Sequence, residues 1–425
     1  MSSASHPGPG GEKNTESGLE NGALPPSDSA PQRVGRQIRG FKLPHWNTSA
    51  DRRTTQWFML LFSIYSSMFI FALDNTITAN LVPVISNQFD AVDLLPWLSV
   101  GFMLGGYVAL LPMGKLYAKF DAKWLYVINI VLFLGFSALC GAAPNMSAMI
   151  VGRVFLGVSG AAMYCGIMIL VAIHTEEQER PAYFSITAVI WSVGTVLGPI
   201  IGGAFALVTW RWAFYINLII GGVFTPITFV ILPSSDQLPK SVDFLQRIKN
   251  FDLVGTIFLV AFSICLVMAI NFGGVPYAWN SGSIIALFVV GTAFATAFGL
   301  QQKLSWLTTS DNRIFPAPLL RHKEAVLLAI SITASNAGSF IPIYYIPVYF
   351  QSSMGDSPLM AGVHLIPLIV ISSFFNLSQG FLMIRFGYYW PWFLGGGALL
   401  LAGNVMLCTQ TFDLMGPKDV PRQIC

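Results

Sequence analysis

Trp57 to Pro83 reads WFMLLFSIYSSMFIFALDNTITANLVP. From Trp57 to Leu73 no side chain is charged; Asp74 then appears, and apolar residues resume beyond it. An α-helix rises about 1.5 Å per residue and the hydrocarbon core of a bilayer is about 30 Å thick, so about 20 apolar residues cross it. The stretch therefore reads as a membrane-spanning helix, with Asp74 about 25 Å along it by the same rise. A charge in hydrocarbon costs about 2.5–3.5 kcal/mol on insertion scales, so such a residue faces the bundle interior and finds a partner.

Ten further stretches repeat the pattern. The eleven spans run approximately over 57–78, 94–113, 124–142, 148–172, 182–207, 212–232, 253–272, 283–303, 325–347, 360–381 and 390–409. The 425 residues carry only 23 Lys+Arg and 20 Asp+Glu, 54% are hydrophobic and the mean hydropathy is +0.64, whereas about a quarter of a soluble domain is charged. The fold class is an all-α polytopic bundle whose first partner is the lipid bilayer. A formal charge of +3 and the absence of a basic stripe interleaved with aromatics set nucleic acid aside.

The five cysteines, Cys140, Cys165, Cys265, Cys408 and Cys425, are far apart and suggest neither a disulfide framework nor a zinc site. No G-x-x-x-x-G-K-[ST] loop offers an ATP-driven engine, and no nucleophile elbow or paired catalytic carboxylates suggest an enzyme. His174 with Glu176, Glu177 and Glu179 reads as a solvated charge run at a helix start. No cofactor and no metal are expected.

Residues 1–55, rich in Gly, Pro, Ser and Asn, read as a disordered tail, and with no apolar run before Trp57 they are not a signal peptide. Orientation follows from the basic residues of the loops. Loops after even-numbered spans, with the helix ends facing them, carry Lys115, Lys119, Lys123, Arg180, Lys240, Arg247, Lys249, Lys303, Arg313, Arg321, Lys323 and Arg385; loops after odd-numbered spans carry Arg211. The N-terminus is therefore expected in the cytoplasm, and the tail with Lys418 and Arg422 outside.

An internal repeat organises the spans. Gly114, Leu116 and Lys119 in GKLYAKFDAK, between spans 2 and 3, match Gly380, Leu382 and Arg385 in GFLMIRFG, between spans 10 and 11. Each is expected to be a tight glycine turn with a cation on the cytoplasmic side, and the residues of this gate loop are Gly114, Lys119, Asp121, Lys123 and Arg385. The chain then divides into the tail, a six-helix bundle (56–232), a cytoplasmic linker (233–252), two inserted helices (253–304), three helices of an incomplete second bundle (305–412) and a short tail (413–425). The ending LMGPKDVPRQIC has no anchoring feature, and the chain reads as truncated relative to this architecture.

Arg153 is the cation that lies inside an apolar span as clearly as Asp74 does, and depth arithmetic puts the two at a similar level. They read either as a charge couple whose protonation changes during transport or as a static buried ion pair. Span 5 contains GTVLGPIIGG, with Gly194, Gly198, Pro199, Gly202 and Gly203 at a four-residue period; the small face admits another backbone and the proline permits a bend. Trp210-Arg211-Trp212 suits an interfacial belt, with Asn217 a turn and a half further in. Span 9 ends in IPIYYIPVYFQ, where two prolines break the helix and Tyr344, Tyr345, Tyr349 and Gln351 offer amphipathic surface to a bulky molecule or to the interface. His364 in span 10 is a titratable or a structural histidine. With Asn217, these residues are the candidates for a substrate cavity.

In combination the motifs resemble the major facilitator superfamily, and within it the fungal drug:proton antiporters of fourteen spans, which include mycotoxin and drug efflux pumps. LDNTITANLVP is similar to that family's span 1 motif at Asp74, Thr76 and Pro83, RVFLGVSGAA (Arg153 to Ala162) to its span 4 motif, GTVLGPIIGG to its span 5 antiporter motif, and WRWAFYIN (Trp210 to Asn217) to the start of its span 6. The loop after span 2 departs from the general form G-x-L-x-D-R-x-G-R-K, with Ala118 at the Asp position and Asp121 at the second Gly. The resemblance implies proton-coupled efflux of a small, partly hydrophobic secondary metabolite, toxin or drug by alternating access across the plasma membrane, with Asp74 and Arg153 coupling the proton. The alternatives are a related importer of an iron chelate or small nutrient, and a non-transporting truncated membrane protein.

Overall fold

The computed structural model describes residues 50–414, apart from 79–80, 92–93, 235–246, 248–250, 275, 310–311, 316, 356–359, 361–362, 387 and 389. Most of the expected N-terminal tail, and the end of the chain with Lys418 and Arg422, lie outside these residues. The helices are α1 (Ala50–Ile77), α2 (Val82–Phe89), α3 (Leu95–Lys119), α4 (Ala122–Gly141), α5 (Met146–His174), α6 (Arg180–Ala206), α7 (Trp212–Ile231), α8 (Leu253–Phe272), α9 (Gly282–Leu304), α10 (Lys323–Ser353), α11 (Ile366–Phe386) and α12 (Trp390–Leu414). Among the described residues eleven of them are long and apolar enough to cross a membrane. The eight-residue α2 is not, so the spans numbered 2 to 11 above are α3 to α12. Lys119, Lys123 and Arg180 lie at one end of the bundle, the basic end.

Polar side chains start several helices by accepting backbone N–H bonds that the first turn cannot satisfy internally. Asn145 accepts from Ala148 N at 2.8 Å before α5, and Asp252 from Gly255 N at 2.9 Å before α8. Asp121 accepts from Lys123 N at 2.9 Å, so the residue at the glycine position of the family loop is the N-cap of α4. The tight glycine turns expected at Gly114 and Gly380 are not there. Both glycines lie inside helices, α3 and α11, and the α3–α4 link is the extended pair Phe120–Asp121. Gly380 instead permits close packing, because a Cβ there would meet the Ser185 hydroxyl of α6.

The main core lies among α1 and α3–α7. α5 runs between α3 and α4, α1 packs on α6 and α7, and α4 also touches α7. Two glycines let α3 and α5 meet backbone to backbone: a Cβ on Gly105 would strike the Val154 carbonyl, and one on Gly157 the Phe102 carbonyl. α8 and α9 pack on each other and reach the first bundle through α3, where Trp97 and Phe272 lie 4.9 Å apart between ring centroids. Asp252, fully buried, ties that pair at the basic end by accepting from Gln301 Nε2 at 3.0 Å and Gln302 Nε2 at 2.7 Å. α11 packs on α6, with Val196 against Leu365 and Ile369, and α10 lies beside α12.

α10 runs unbroken through Pro342 and Pro347, so the expected break at these prolines is a correction. In a spanning helix neighbouring groups and small backbone adjustments re-satisfy the carbonyls a proline frees, and no water competes for them. Large apolar side chains such as Phe58, Phe62, Val230, Phe374 and Leu401 are exposed, as lipid-facing positions are in a bundle of this kind.

Candidate functional site

Asp74 and Arg153 are 0% and 1% exposed, and Arg153 Nη1 lies 2.6 Å from Asp74 Oδ2. The guanidinium makes further bonds: Nη2 donates to Thr78 Oγ1 at 3.1 Å and Nε to the Leu98 carbonyl at 3.2 Å. The Phe102 ring lies 4.2 Å from its central carbon, a cation–π contact that suits a desolvated guanidinium. The close α3–α5 approach made by Gly105 and Gly157 is what brings Leu98 and Phe102 to Arg153. Two opposite charges so placed satisfy one another where water does not reach, which is the condition under which a buried pair is tolerated.

Asn217 is fully buried against this pair. Its Nδ2 donates to Asp74 Oδ1 at 2.9 Å and to Ser137 Oγ at 3.0 Å, and Ser137 in turn donates to the Phe214 carbonyl at 2.9 Å. The network thus draws on α1, α3, α4, α5 and α7 together. The glycines of α6 complete the setting of α1. Cβ atoms on Gly194, Gly198 and Gly202 would meet Ala72, the Thr76 hydroxyl and the Ile77 carbonyl respectively, and Thr76 Oγ1 donates to the Thr195 carbonyl at 2.8 Å. This glycine face holds the turn that carries Asp74, while Val196 on the same helix meets α11. Pro199 lies inside α6, and Gly203 is partly exposed.

At the basic end Lys119 Nζ donates to Asn312 Oδ1 at 2.8 Å, and its carbonyl accepts from Arg247 at 3.1 Å. Asp121 also pairs with Ser234, Lys123 stands 5.3 Å from the Phe229 ring centroid, and Arg385 is exposed near the end of α11. Of the expected cavity residues, Tyr349 and His364 both pack on Phe350. Tyr345 is exposed, Tyr349 is half-buried beside Phe350, and the side chains of Tyr344 and Gln351 are outside those described. His364 precedes the first residue of α11 and stacks on Phe350 with centroids 4.2 Å apart; the span that should contain it starts later than its hydropathy suggests.

Sequence reasoning passed over an aromatic cluster one turn before Asp74. Phe71 of α1 meets Phe102, Phe133, Tyr164 and Trp191, one from each of α3 to α6, with centroids 5.4–6.4 Å apart. Tyr164 and Trp191 are only half-buried. Arg211, read as a belt cation, donates to the Gly141 carbonyl at 2.7 Å and so caps the end of α4.

The model of the Major Facilitator Superfamily matches residues 64–416, most of the described bundle. The chain belongs to the Major Facilitator Superfamily. Among superfamily relatives it is 51% identical over 352 residues to the "Phomenoic acid biosynthesis cluster MFS-type transporter" of Leptosphaeria maculans, covering 83% of this chain and 56% of that protein. It is 39% identical over 409 residues to "Efflux pump DEP3" of Alternaria brassicicola, covering 96% of this chain and 71% of that one. The chain thus spans little more than half the length of the first of these. A superfamily structure, the proton:xylose symporter XylE bound to a bromodeoxyglucose, shares the fold at 15% identity with a TM-score of 0.52, over 78% of this chain and 70% of that one. As a superfamily member the chain is a multi-pass membrane protein.

Proposed function

We propose that the chain exports a small, partly hydrophobic molecule, of the class of secondary metabolites, toxins or drugs, in exchange for protons by alternating access. The observation that carries this reading is the Asp74–Arg153 pair, a carboxylate and a guanidinium wholly buried among apolar helices, at the centre of a hydrogen-bond network drawn from five of them. As a carboxylate Asp74 holds Arg153. A proton on Asp74 removes that charge and leaves the guanidinium to its other partners, so the preferred packing of α1 against α5 differs between the two states. A neighbour of that pair suits the cargo: Tyr164 and Trp191, half-buried beside Phe71, present ring faces to a partly apolar molecule.

Export is favoured over uptake because relatives such as DEP3 carry the name of efflux pumps. In this reading α1 and α3–α7 are one half of the transporter, α10–α12 belong to the second, α8–α9 are the insertion between them, and the α3–α4 link forms the gate at the basic end. That end and the N-terminus lie in the cytoplasm by the positive-inside rule, and the membrane is the plasma membrane. The test is loss of rhodamine 6G from yeast cells expressing the chain, with and without a protonophore. Efflux that the protonophore stops and that Asp74→Asn and Arg153→Ala each abolish is the expected result. Efflux unaffected by both substitutions would sink the assignment.

A further inference from the structure

Asn217 has an arrangement that its role as a simple clamp leaves unexplained. Both hydrogens of its amide are in use, one on Asp74 Oδ1 and one on Ser137 Oγ. Its carbonyl oxygen, Oδ1, is buried and has no hydrogen-bond partner among the described residues. A buried acceptor left unpaired is destabilising, so such atoms call for a reason. The orientation of the amide is fixed by its neighbours. Asp74 as a carboxylate can only accept, and Ser137 gives its own hydrogen to the Phe214 carbonyl, so both demand a donor from Asn217.

That demand lasts only while Asp74 is ionised. A proton arriving from water on Asp74 Oδ1 forms an O–H bond there, and an O–H aimed at Asn217 Nδ2 sets a donor against a donor. Rotation of the amide about its Cβ–Cγ bond removes the conflict. The turn exchanges the two ends of the amide: Oδ1, which has no partner among the described residues, arrives where it can accept from Asp74, and the N–H groups give up their bonds to Asp74 and Ser137 for the place it held. The Ser137 hydroxyl can then swing from the Phe214 carbonyl to the same oxygen. No heavy atom other than the amide itself has to move.

We propose that Asn217 is an amide switch that reads the protonation of Asp74, donating to the carboxylate through Nδ2 and accepting from the carboxylic acid through Oδ1. It is a positioning residue, and it passes the state of α1 to α4 through Ser137 and to the backbone of its own helix α7 through Phe214. Among the described residues, the other charged and titratable groups facing Asp74 are Arg153 from α5 and the thiol of Cys140 from α4. α3 presents the Leu98 carbonyl and the Phe102 ring to Arg153, and α6 presents Gly194 and Gly198 to the Asp74 turn. The inference rests on the reading of Asp74 as the proton acceptor.

The test needs no transported substrate. Infrared difference spectra between acid and alkaline pH are recorded on the purified full chain in lipid vesicles, with the side-chain amide carbon of asparagine labelled with ¹³C. The carboxylic C=O band lost in Asp74→Asn belongs to Asp74. The expected result is an asparagine amide band that changes with the same midpoint, together with an Asp74 band that moves to higher wavenumber in Asn217→Leu and in Asn217→Ala, where the O–H has lost its acceptor. An Asp74 band that titrates while the labelled amide stays silent overturns the switch and leaves the coupling reading standing; the native chain alone decides this, even where a variant fails to fold. Absence of any band that depends on Asp74 overturns the coupling reading, and the switch with it.

Discussion

Removing either member of the Asp74–Arg153 pair strands the other charge among apolar helices. Breaking a buried pair costs about 3–5 kcal/mol, whereas replacing both members by apolar groups is often near neutral. Arg153→Met is therefore expected to lower the thermal unfolding midpoint of the detergent-solubilised protein sharply, and Asp74→Leu added to it to restore most of the loss. A double variant as unstable as the single one would mean that the bonds to Thr78, Leu98 and Asn217, rather than the charges, dominate. These two residues were legible in the sequence because a charge in an apolar run has few bland explanations. Ser137 was not. A serine in a spanning helix commonly bonds the carbonyl four residues back, as Ser159 does to Phe155 and Thr187 to Tyr183, and nothing in the sequence distinguishes those from Ser137, whose hydroxyl crosses to α7.

Among the elements, α6 carries the sharpest expectation. A side chain at Gly198 must displace Thr76 and the Leu73 carbonyl, and overpacking of this kind costs about 1–3 kcal/mol or more. Gly198→Val should reduce the folded yield on size exclusion, while Gly203→Ala, at a partly exposed position, should not. At the start of α4, Asp121→Ala removes an N-cap worth about 1 kcal/mol and should lower the unfolding midpoint by a few degrees. The period of the glycines was readable and their partner was not, since spacing names a face without naming what it meets. The prolines of α10 misled for a related reason: the rule that proline ends a helix belongs to water, where freed carbonyls have an alternative. Gly114 and Gly380 misled because a glycine inside a membrane helix also serves close packing, as Gly380 does against Ser185 of α6. GFMLG, from Gly101 to Gly105, was an available signal for the α3–α5 contact that the span-by-span reading passed over.

At the scale of the molecule, eleven spans were countable from hydropathy because each must cross the same thickness of hydrocarbon, but which spans touch is set by side-chain shape and was outside the reach of periodicity. One such contact lends itself to a test. Val196 of α6 packs with Leu365 and Ile369 beside and on α11, where the proposed halves meet. A Val196→Cys, Ile369→Cys chain with its native cysteines replaced is expected to cross-link on mild oxidation and to stop efflux until reduced. Efflux persisting in the cross-linked protein would place the moving seam elsewhere. The two faces of α6 differ in mechanical kind. Against α1, glycine Cα atoms lie close to backbone and hydroxyl atoms, so no rotamer stands between the helices to absorb displacement. Against α11 the contact is mixed: Val196 packs with Leu365 and Ile369, and Gly380 comes close to the Ser185 hydroxyl. Three glycines of α6 thus hold it close to α1 where one glycine of α11 holds it close to that helix, so parting α6 from α11 disturbs fewer backbone-close contacts than parting it from α1: α6 is set to travel with α1.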